Sequence, residues 1–394
     1  MGSHIAFVNI PAVGHVYPTL AVVAELVRRG HRVSYTTIDA RAPIVEAHGA
    51  KVLCYRSSRP SDSDPEIPRP KRSGFISQSL LNFIIEAEAT LDQVAPAFRD
   101  DPPDLILFDR MAFAGRVLAA ELGVPTIQLW PMLVSNEHWS MGVALDAFDP
   151  EDPVLAEYVK RLDALLARHG VAIEPDQFLA NDQRRQIAFY PKAFQYEGHK
   201  FDDSYEFVGP CVRHRPTTRA WEPPDSSPVL LITLGTIFNR NPDFYRSCLT
   251  ALADTPWHVV LVVGERTDPA ELGPPPRNVE VHRFAPQLDI LGHARLLLCH
   301  AGMGGTMEAL RFGVPVLAAP QTLEQEANAV RIEELELGAR IDPTRLDADL
   351  LRAELDRVAN NPAIATAVAH MRGRIAAAGG ALRAADVVEA CLAN

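Results

Sequence analysis

Residues 300–308 read HAGMGGTME, a glycine-rich segment that stands between an apolar run and a helix-forming run. The preceding Arg295–Cys299 is short and apolar, as a buried strand is. The following Met307–Phe312 favours a helix, and Gly313 is placed to end it. The predicted order is strand, glycine turn and helix, so backbone N–H groups and the positive end of a helix are expected at one place. The segment is therefore predicted to bind an anion.

Three polar residues of this segment favour a binding site over an ordinary βα turn, in which glycine clusters are also common. His300 stands at the predicted strand end, where an imidazole can donate to a phosphate oxygen. Thr306 adds a hydroxyl to the turn, and Glu308 lies one helical turn later. A carboxylate there suits ribose hydroxyls better than it suits an anion.

Length and composition limit the classes of protein to consider. At 394 residues, the chain is long for one core and is predicted to form two domains. Its net charge of −12 argues against a nucleic-acid-binding protein, which usually has a basic face. Five scattered cysteines show no CxxC spacing, so we expect a cytoplasmic protein with reduced thiols. No signal-peptide pattern and no membrane-spanning run is recognised.

Strand-like and helix-like segments alternate in both halves of the chain. A helix is predicted to begin at Pro18 and to end at Gly30, whereas Met132–Gly170 is predicted to be irregular. The strands predicted in the first half are His4–Ile10, His31–Ile38, Lys51–Tyr55, Leu105–Phe108, Pro125–Trp130, Ile187–Tyr190 and Tyr205–Val208. The alternation starts afresh with the strand Val229–Leu234. It predicts an α/β protein with two doubly wound parallel sheets, whose ligands bind beyond the carboxyl ends of the strands.

The predicted domain boundaries follow from a proline-rich polar stretch in the middle of the chain. Residues 1–212 are expected to form the N-terminal domain and residues 213–228 the linker. Residues 229–378 are expected to form the C-terminal domain. A last helix, residues 379–394, is expected to pack back on the N-terminal domain.

Two further polar residues are predicted at strand ends of the first half. His15 follows the first strand, and Asp109 ends the fourth. A carboxylate that orients an imidazole makes it a better base. The alternatives are that each residue only caps the helix that follows it. Gly235-Thr236, after the first strand of the second half, is a weaker second candidate for a phosphate-binding turn.

Two acidic pairs have the D-x-D spacing of some metal sites. Asp62 and Asp64 lie in a proline-rich loop, and Asp347 and Asp349 are placed to cap a helix. Both pairs are interpreted as structural, and no metal site is predicted.

In these residues and motifs the chain resembles the family-1 glycosyltransferases of the two-domain GT-B fold. Within that family it is most similar to the bacterial macrolide and antibiotic glycosyltransferases. The resemblance extends over essentially the whole length. The segments that carry it are residues 10–20 (IPAVGHVYPTL), 103–109 (PDLILFD), 207–210 (FVGP), 234–238 (LGTIF), 284–287 (FAPQ) and 300–325.

The resemblance implies two Rossmann-like domains that face a central cleft and an inverting, metal-independent sugar transfer. It assigns His15 as catalytic base and Asp109 as the acid that pairs with it. It also implies a set of residues that bind the nucleotide-sugar co-substrate. These are Gly235, Thr236, Phe284, Gln287, His300, Gly302, Gly304, Gly305, Thr306, Glu308, Glu324 and Gln325.

Within that set, the resemblance gives each polar group a partner on the donor. Phe284 matches a base-stacking aromatic residue that is usually tryptophan, Gln287 the residue at the base edge, and Glu308 the ribose ligand. Glu324 and Gln325 match a pair that binds sugar hydroxyls, with glutamate here where aspartate is commoner. UDP-glucose is the favoured donor and a dTDP-deoxysugar the alternative, and no other cofactor is expected.

A lipophilic acceptor, such as a macrolide or a polyphenol, is expected from the aromatic segments 75–88 and 130–139 and the region of Met141. Two other functions remain open. A GT-B sugar-nucleotide epimerase needs no lipophilic acceptor, and a non-catalytic helper usually lacks the base and phosphate residues. The sequence leaves the oligomeric state open and predicts neither a nucleic-acid partner nor a membrane span.

Overall fold

The structure is a computed structural model that describes residues 2–60, 74–144, 149–179, 185–212 and 221–393. The chain divides into two compact units. The first takes the described residues up to Val212 and those from Ala378 onward, and the second takes those between them. Of the predicted linker, residues 213–220 lie outside the described residues.

The strands and helices of the described residues are numbered along the chain. The strands are β1 (His4–Val8), β2 (Arg32–Thr37), β3 (Lys51–Cys54), β4 (Leu105–Asp109), β5 (Thr126–Trp130), β6 (Gln186–Ala188), β7 (Tyr205–Phe207), β8 (Val229–Thr233), β9 (His258–Val262), β10 (Val279–His282), β11 (Ala294–Cys299), β12 (Val316–Ala318) and β13 (Gly338–Arg340). The helices are α1 (Val13–Arg28), α2 (Ala42–Glu46), α3 (Phe75–Asp100), α4 (Phe113–Leu122), α5 (Met141–Ala144), α6 (Pro153–Arg168), α7 (Pro175–Phe178), α8 (Pro242–Leu252), α9 (Gln287–Leu291), α10 (Met303–Phe312), α11 (Leu323–Glu334), α12 (Ala348–Ala359), α13 (Pro362–Ala377) and α14 (Gly380–Leu392).

The first unit is built on a parallel sheet with the strand order β3-β2-β1-β4-β5-β6-β7. Side chains of β1 alternate between its two faces, because successive residues of a strand point in opposite directions. Ile5 and Phe7 join the core on one face, and Ala6 and Val8 join the core on the other. The order reverses between β1 and β4, so the strand ends that carry candidate residues lie at the switch point of a doubly wound sheet.

Helix α14 packs on the first unit although it ends the chain. Its buried residues Ala384, Ala385, Val387 and Val388 belong to the same core as Leu20 and Val23 of α1. At the rim of this contact, Arg29 Nη1 donates to Asp386 at 2.8 Å and to Glu389 at 2.6 Å. The hydrophobic stripe therefore supplies the packing, and partly exposed ion pairs of this kind add little to stability.

The second unit is built on a parallel sheet with the strand order β10-β9-β8-β11-β12-β13. All residues of β8 and the last four of β11 are buried, as expected for central strands covered by helices on both faces. The central strands β8 and β11 end next to each other, so the turns that follow Thr233 and Cys299 are neighbours. The prediction of two doubly wound parallel sheets is confirmed.

Several predicted boundaries are wrong in ways that bear on the site. Helix α1 begins at Val13, so His15 lies in its first turn and Pro18 lies inside the helix. Helix α10 begins at Met303, so Gly304 and Gly305 are helical. Proline and glycine are poor helix residues, and the tertiary contacts of both segments override that preference.

Two long helices were not predicted, and neither were the short helices α5, α7 and α9. Helix α6, Pro153–Arg168, fills much of the stretch that was interpreted as irregular, and it begins at the N-cap Asp152. Helix α11, Leu323–Glu334, begins at the N-cap Thr322, whose hydroxyl accepts from the amide of Gln325. Among the described residues, no helix is long and apolar enough to cross a membrane.

Candidate active site

His15 and Asp109 form a hydrogen-bonded pair in the first unit. Nδ1 of His15 lies 2.6 Å from Oδ2 of Asp109. The other carboxylate oxygen of Asp109 accepts from the amide of Met111 at 2.7 Å, so both oxygens have a donor. The Asp109 side chain is only 1% exposed, whereas that of His15 is 14% exposed. Because a carboxylate accepts, Nδ1 carries the proton and Nε2 is left as the basic nitrogen.

A buried polar network holds the turn that carries His15. Nδ2 of Asn9 donates to the carbonyl of His15 at 3.2 Å and to the hydroxyl of Tyr35 at 2.8 Å. The Tyr35 hydroxyl also lies 2.8 Å from Oγ1 of Thr19, which donates to the carbonyl of Val16. The first turn of α1 is thereby tied to strands β1 and β2, which limits the movement of the His15 backbone.

The His300 imidazole in the second unit lies between two glycines. A Cβ on Gly235 would stand 2.4 Å from Cε1 of His300, and a Cβ on Gly302 would stand 2.5 Å from Nε2. Any residue with a side chain at either position would collide with the ring. The glycines that were predicted to admit a ligand therefore also make room for His300. Nδ1 of His300 is buried.

Burial of the ring lowers the pKa of His300 to about 4. The imidazole is therefore neutral above about pH 5, and it can help an anion only as a neutral N–H donor. In an unfolded chain the pKa of a histidine is about 6.5, so the unfolded state takes up a proton first as the pH falls. The contribution of the neutral ring to stability is thus complete above pH 6.5 and is lost towards pH 4.

We expect His300→Gln to flatten this part of the pH dependence of stability. Between pH 6.5 and 4 the wild-type free energy of unfolding should fall by on the order of 1–3 kcal/mol more than that of the variant. Urea unfolding at several pH values measures the difference. Parallel curves for the two proteins over this range would contradict the assignment of a neutral buried ring.

The first turn of α10 presents backbone donors next to His300. The first amides of a helix have no partner within the helix, and Gly302 is the N-cap without a side-chain cap. The positive end of the helix is therefore open for an anion at Met303, Gly304 and Gly305. The Thr306 side chain is fully buried, and its amide already donates to the Gly302 carbonyl at 3.0 Å. A contact of Thr306 with a phosphate stays a prediction.

The second unit carries three further candidate donor residues, Phe284, Gln287 and Glu308. Phe284 follows β10 and is 61% exposed, which is unusual for a large apolar side chain. Gln287 begins α9, and its Nε2 donates to Oε2 of the buried Glu308 at 2.6 Å. Gly305 lies beside this pair, because its Cβ would stand 3.8 Å from Nε2 of Gln287. Glu308 thus orients Gln287 as well as being a candidate ligand.

Glu324 and Gln325 lie in the first turn of α11. Gln325 is buried, and its Oε1 accepts from the amide of Gln321 at 2.8 Å. This bond fixes the side-chain amide and leaves Nε2 as its donor group. Glu324 is half-buried beside it. Thr236, the remaining candidate, is exposed in the turn after β8.

The structure describes one of the two acidic pairs, Asp347 and Asp349. Asp347 is the N-cap of α12, and its carboxylate accepts from the amides of Asp349 and Leu350, so its interpretation as a cap is confirmed. Asp62 and Asp64 lie outside the described residues. Among the residues described, no group of three histidine, cysteine or acidic side chains is arranged to hold a metal ion.

Known proteins are similar to this chain over nearly its whole length. A family model, the C-terminal domain of erythromycin biosynthesis protein CIII-like proteins, matches residues 246–393. The NDP-glycosyltransferase YjiC of Bacillus licheniformis is 40% identical, with 99% of this chain and 98% of the relative covered. The demethyllactenocin mycarosyltransferase of Streptomyces fradiae is 37% identical, with 99% and 87% covered. This chain belongs to the same family of glycosyltransferases.

A solved structure agrees with the sequence comparison. The glycosyltransferase has a TM-score of 0.88 and 38% identity to the crystal structure of CalG4, the calicheamicin glycosyltransferase, with 100% of this chain and 99% of that chain covered. The resemblance to the antibiotic glycosyltransferases and the GT-B fold of two Rossmann-like domains are therefore confirmed. The range that the family model matches, residues 246–393, covers the positions of Phe284, Gln287, His300, Glu324 and Gln325.

The acceptor region predicted for the glycosyltransferase needs correction. Trp130 is 1% exposed and donates through Nε1 to Gln186, so it belongs to the core. Ile84 is also fully buried, and Glu86 accepts four hydrogen bonds from Tyr55, Ser57 and Ser58. Trp139, which stacks on Tyr196 at 4.8 Å, is a better candidate for an acceptor contact because it is only half-buried.

Sequence reasoning missed three buried asparagines of the glycosyltransferase, Asn9, Asn239 and Asn328. Each donates through Nδ2 to the carbonyl of a turn that carries a candidate residue. A signal was present for Asn328, which stands between two alanines on the buried face of α11. A polar residue on an apolar helix face is informative, because it must find a partner.

Proposed function

We propose that this glycosyltransferase moves a hexose from UDP-glucose to a hydroxyl of a lipophilic natural product, with inversion and without a metal ion. The observation that carries the proposal is the pair formed by His15 Nδ1 and Asp109 Oδ2 at 2.6 Å. A partly exposed imidazole with a free Nε2 and a buried carboxylate behind it is suited to general base catalysis. The first unit would bind the acceptor and the second the donor.

In this mechanism Nε2 of His15 takes the proton from the acceptor hydroxyl. The acceptor oxygen attacks the anomeric carbon from the face opposite the diphosphate, so one C–O bond forms as the other breaks and the configuration inverts. Asp109 stabilises the imidazolium that results and keeps the ring in the tautomer that exposes Nε2. The proton leaves His15 after the product has departed.

The leaving nucleoside diphosphate gains negative charge, and the second unit offers donors for it. The amides at the start of α10 and the neutral N–H of His300 would stabilise the phosphate oxygens without a counter-ion of their own. Because Nε2 of Gln287 donates to Glu308, its Oε1 is left to accept the N3–H of a uracil or thymine ring. Phe284 would stack on the face of that base.

The Glu324–Gln325 pair supports a donor with hydroxyl groups on the sugar. A carboxylate and the fixed Nε2 of Gln325 offer an acceptor and a donor side by side. A deoxysugar lacks some of these hydroxyls and would leave a polar group without a partner, which weakens binding. The alternative, a dTDP-deoxysugar, is kept because a relative of similar identity is named a mycarosyltransferase.

One screen tests the proposed function. The purified enzyme is incubated with UDP- and dTDP-sugars against macrolide, polyketide and flavonoid acceptors, with EDTA present and absent, and products are identified by mass spectrometry. A hexose adduct formed from UDP-glucose in EDTA, with the opposite anomeric configuration by NMR, is the expected result. Nucleotide-sugar conversion without an acceptor would favour an epimerase, and no turnover of any kind would favour a non-catalytic helper.

We expect Phe284→Ala to raise the donor KM by about 5- to 150-fold, because stacking of a base on an aromatic ring contributes ~1–3 kcal/mol. Phe284→Trp should lower the donor KM, since the indole offers a larger face. Steady-state kinetics at saturating acceptor measure both. Leu382→Ala is the matched control, because Leu382 is 58% exposed and lies on α14. An unchanged donor KM in Phe284→Ala would remove Phe284 from the base site.

A further inference from the structure

Asn328 of α11 reaches back to the turn that follows β11. Its side chain is fully buried, and Nδ2 donates to the carbonyl of Ala301 at 2.9 Å. Ala301 stands between His300 and Gly302 and has a φ of 61°, in the left-handed region that residues with a Cβ rarely adopt. Such a conformation persists only where its surroundings hold it. Two side chains hold this residue: the carbonyl of Ala301 accepts from Nδ2 of Asn328, and its amide donates to Sγ of Cys299 at 3.4 Å.

Asn239 makes the equivalent contact with the turn that follows β8. Its Nδ2 donates to the carbonyl of Gly235 at 2.9 Å, and its own backbone carbonyl accepts from the hydroxyls of Tyr245 and Thr267. The side chain is confined, because a Cβ on Gly264 would stand 2.0 Å from Nδ2. Asn239 is therefore fixed on one side by the core and holds Gly235 on the other.

The two turns held in this way are those that enclose the His300 imidazole. The Cβ position of Gly235 lies nearest to Cε1 of the ring, and that of Gly302 lies nearest to Nε2. We propose that Asn239 and Asn328 are positioning residues that clamp these two turns and so set the position of His300 and of the first amides of α10 for a nucleoside diphosphate. The proposal rests on the proposed function, since it assigns the clamp to the donor site.

The hydrogen-bond pattern indicates which atom of each asparagine matters. Oδ1 of Asn239 and Oδ1 of Asn328 are buried and have no partner among the described residues. If these asparagines only filled space, an apolar residue of similar size would serve equally well at each position. The side-chain amides are explained if each Nδ2 is needed as a donor, because the carbonyls of Gly235 and Ala301 would otherwise lose a hydrogen bond.

The test measures binding of UDP and of dTDP to the full-length protein by isothermal titration calorimetry. Asn328→Leu keeps the approximate shape and removes the donor, Asn328→Ala leaves space instead, and Asn239→Ala suits the confined position. We expect Kd to rise about 5- to 10-fold in each variant, the effect of one hydrogen bond. Asn278→Leu is the control, because Nδ2 of Asn278 donates to the carbonyls of Leu252 and Trp257, away from His300.

A second substitution separates positioning from a general loss of stability. Ala301→Gly accepts the left-handed conformation without strain, so it should restore part of the nucleotide affinity of Asn328→Leu while the melting temperature stays low. In turnover assays, the donor KM should rise in the Asn328 variants while the acceptor KM stays unchanged.

The outcomes separate the two proposals. Wild-type protein that binds neither UDP nor dTDP overturns the donor site and the clamp together. Wild-type binding that the Asn239 and Asn328 variants retain overturns the clamp and leaves the proposed function standing. Equal losses in these variants and in Asn278→Leu also overturn the clamp, because the effect would then follow stability alone.

Discussion

Replacement of His15 by alanine is expected to lower kcat by ~10²–10⁴-fold, the usual contribution of a positioned general base. The donor KM should change little, since the residues proposed to bind the donor lie in the other unit. Asp109→Asn should cause a similar loss, because an amide does not hold Nδ1–H as a carboxylate does and does not stabilise the imidazolium. A coupled assay of acceptor-dependent UDP release gives kcat for the wild type and for both variants.

A matched pair elsewhere in the first unit provides the control for this prediction. Nδ1 of His169 lies 2.6 Å from Oε2 of Glu121, the same distance as in the pair of His15 and Asp109. His169→Ala should lower stability and leave kcat per folded molecule unchanged. The double variant of His15 and Asp109 should be no slower than either single variant, since the two act as a unit. Additive losses, or a His15→Ala enzyme of normal kcat, would contradict the proposed base.

The sequence predicted the pairing of His15 and Asp109 for a physical reason. Both residues follow strands whose apolar runs are recognisable, and parallel strands place their carboxyl ends at one edge of a sheet. Short buried strands such as β4 and β11 are readable because both faces are covered by helices, which makes the whole run apolar. His300 was placed correctly at a strand end by the same argument.

Other features depend on contacts that no local pattern reveals. The sequence pattern places the Thr306 hydroxyl in the glycine turn, yet the helix already begins at Met303. Gly302 was explained by a ligand, whereas the nearest atoms to its missing Cβ belong to His300. Asn328 meets Ala301 across 27 residues of sequence. In each case packing between distant segments decides the role, and propensity is overridden.

Gly302→Ala is expected to weaken UDP binding by about 10- to 150-fold, the range for hydrogen bonds to a charged group. The backbone of Gly302 has φ −63° and ψ 142°, which alanine adopts without strain. The added Cβ would nevertheless stand 2.5 Å from Nε2 of His300. The imidazole must therefore turn away from its place, and the phosphate loses that donor while the fold is kept.

A double-mutant cycle shows whether the collision is the cause. In a His300→Ala background the ring is absent, so Gly302→Ala should have no further effect on the Kd of UDP. Gly373→Ala on α13 is the control, because nothing lies within 4 Å of its Cβ position. A full additional loss in the His300→Ala background would mean that the alanine methyl group meets the nucleotide itself. Gly302 would then allow the ligand to approach closely, as the glycine-rich sequence predicts. Its assignment as the glycine that makes room for the His300 ring would be wrong.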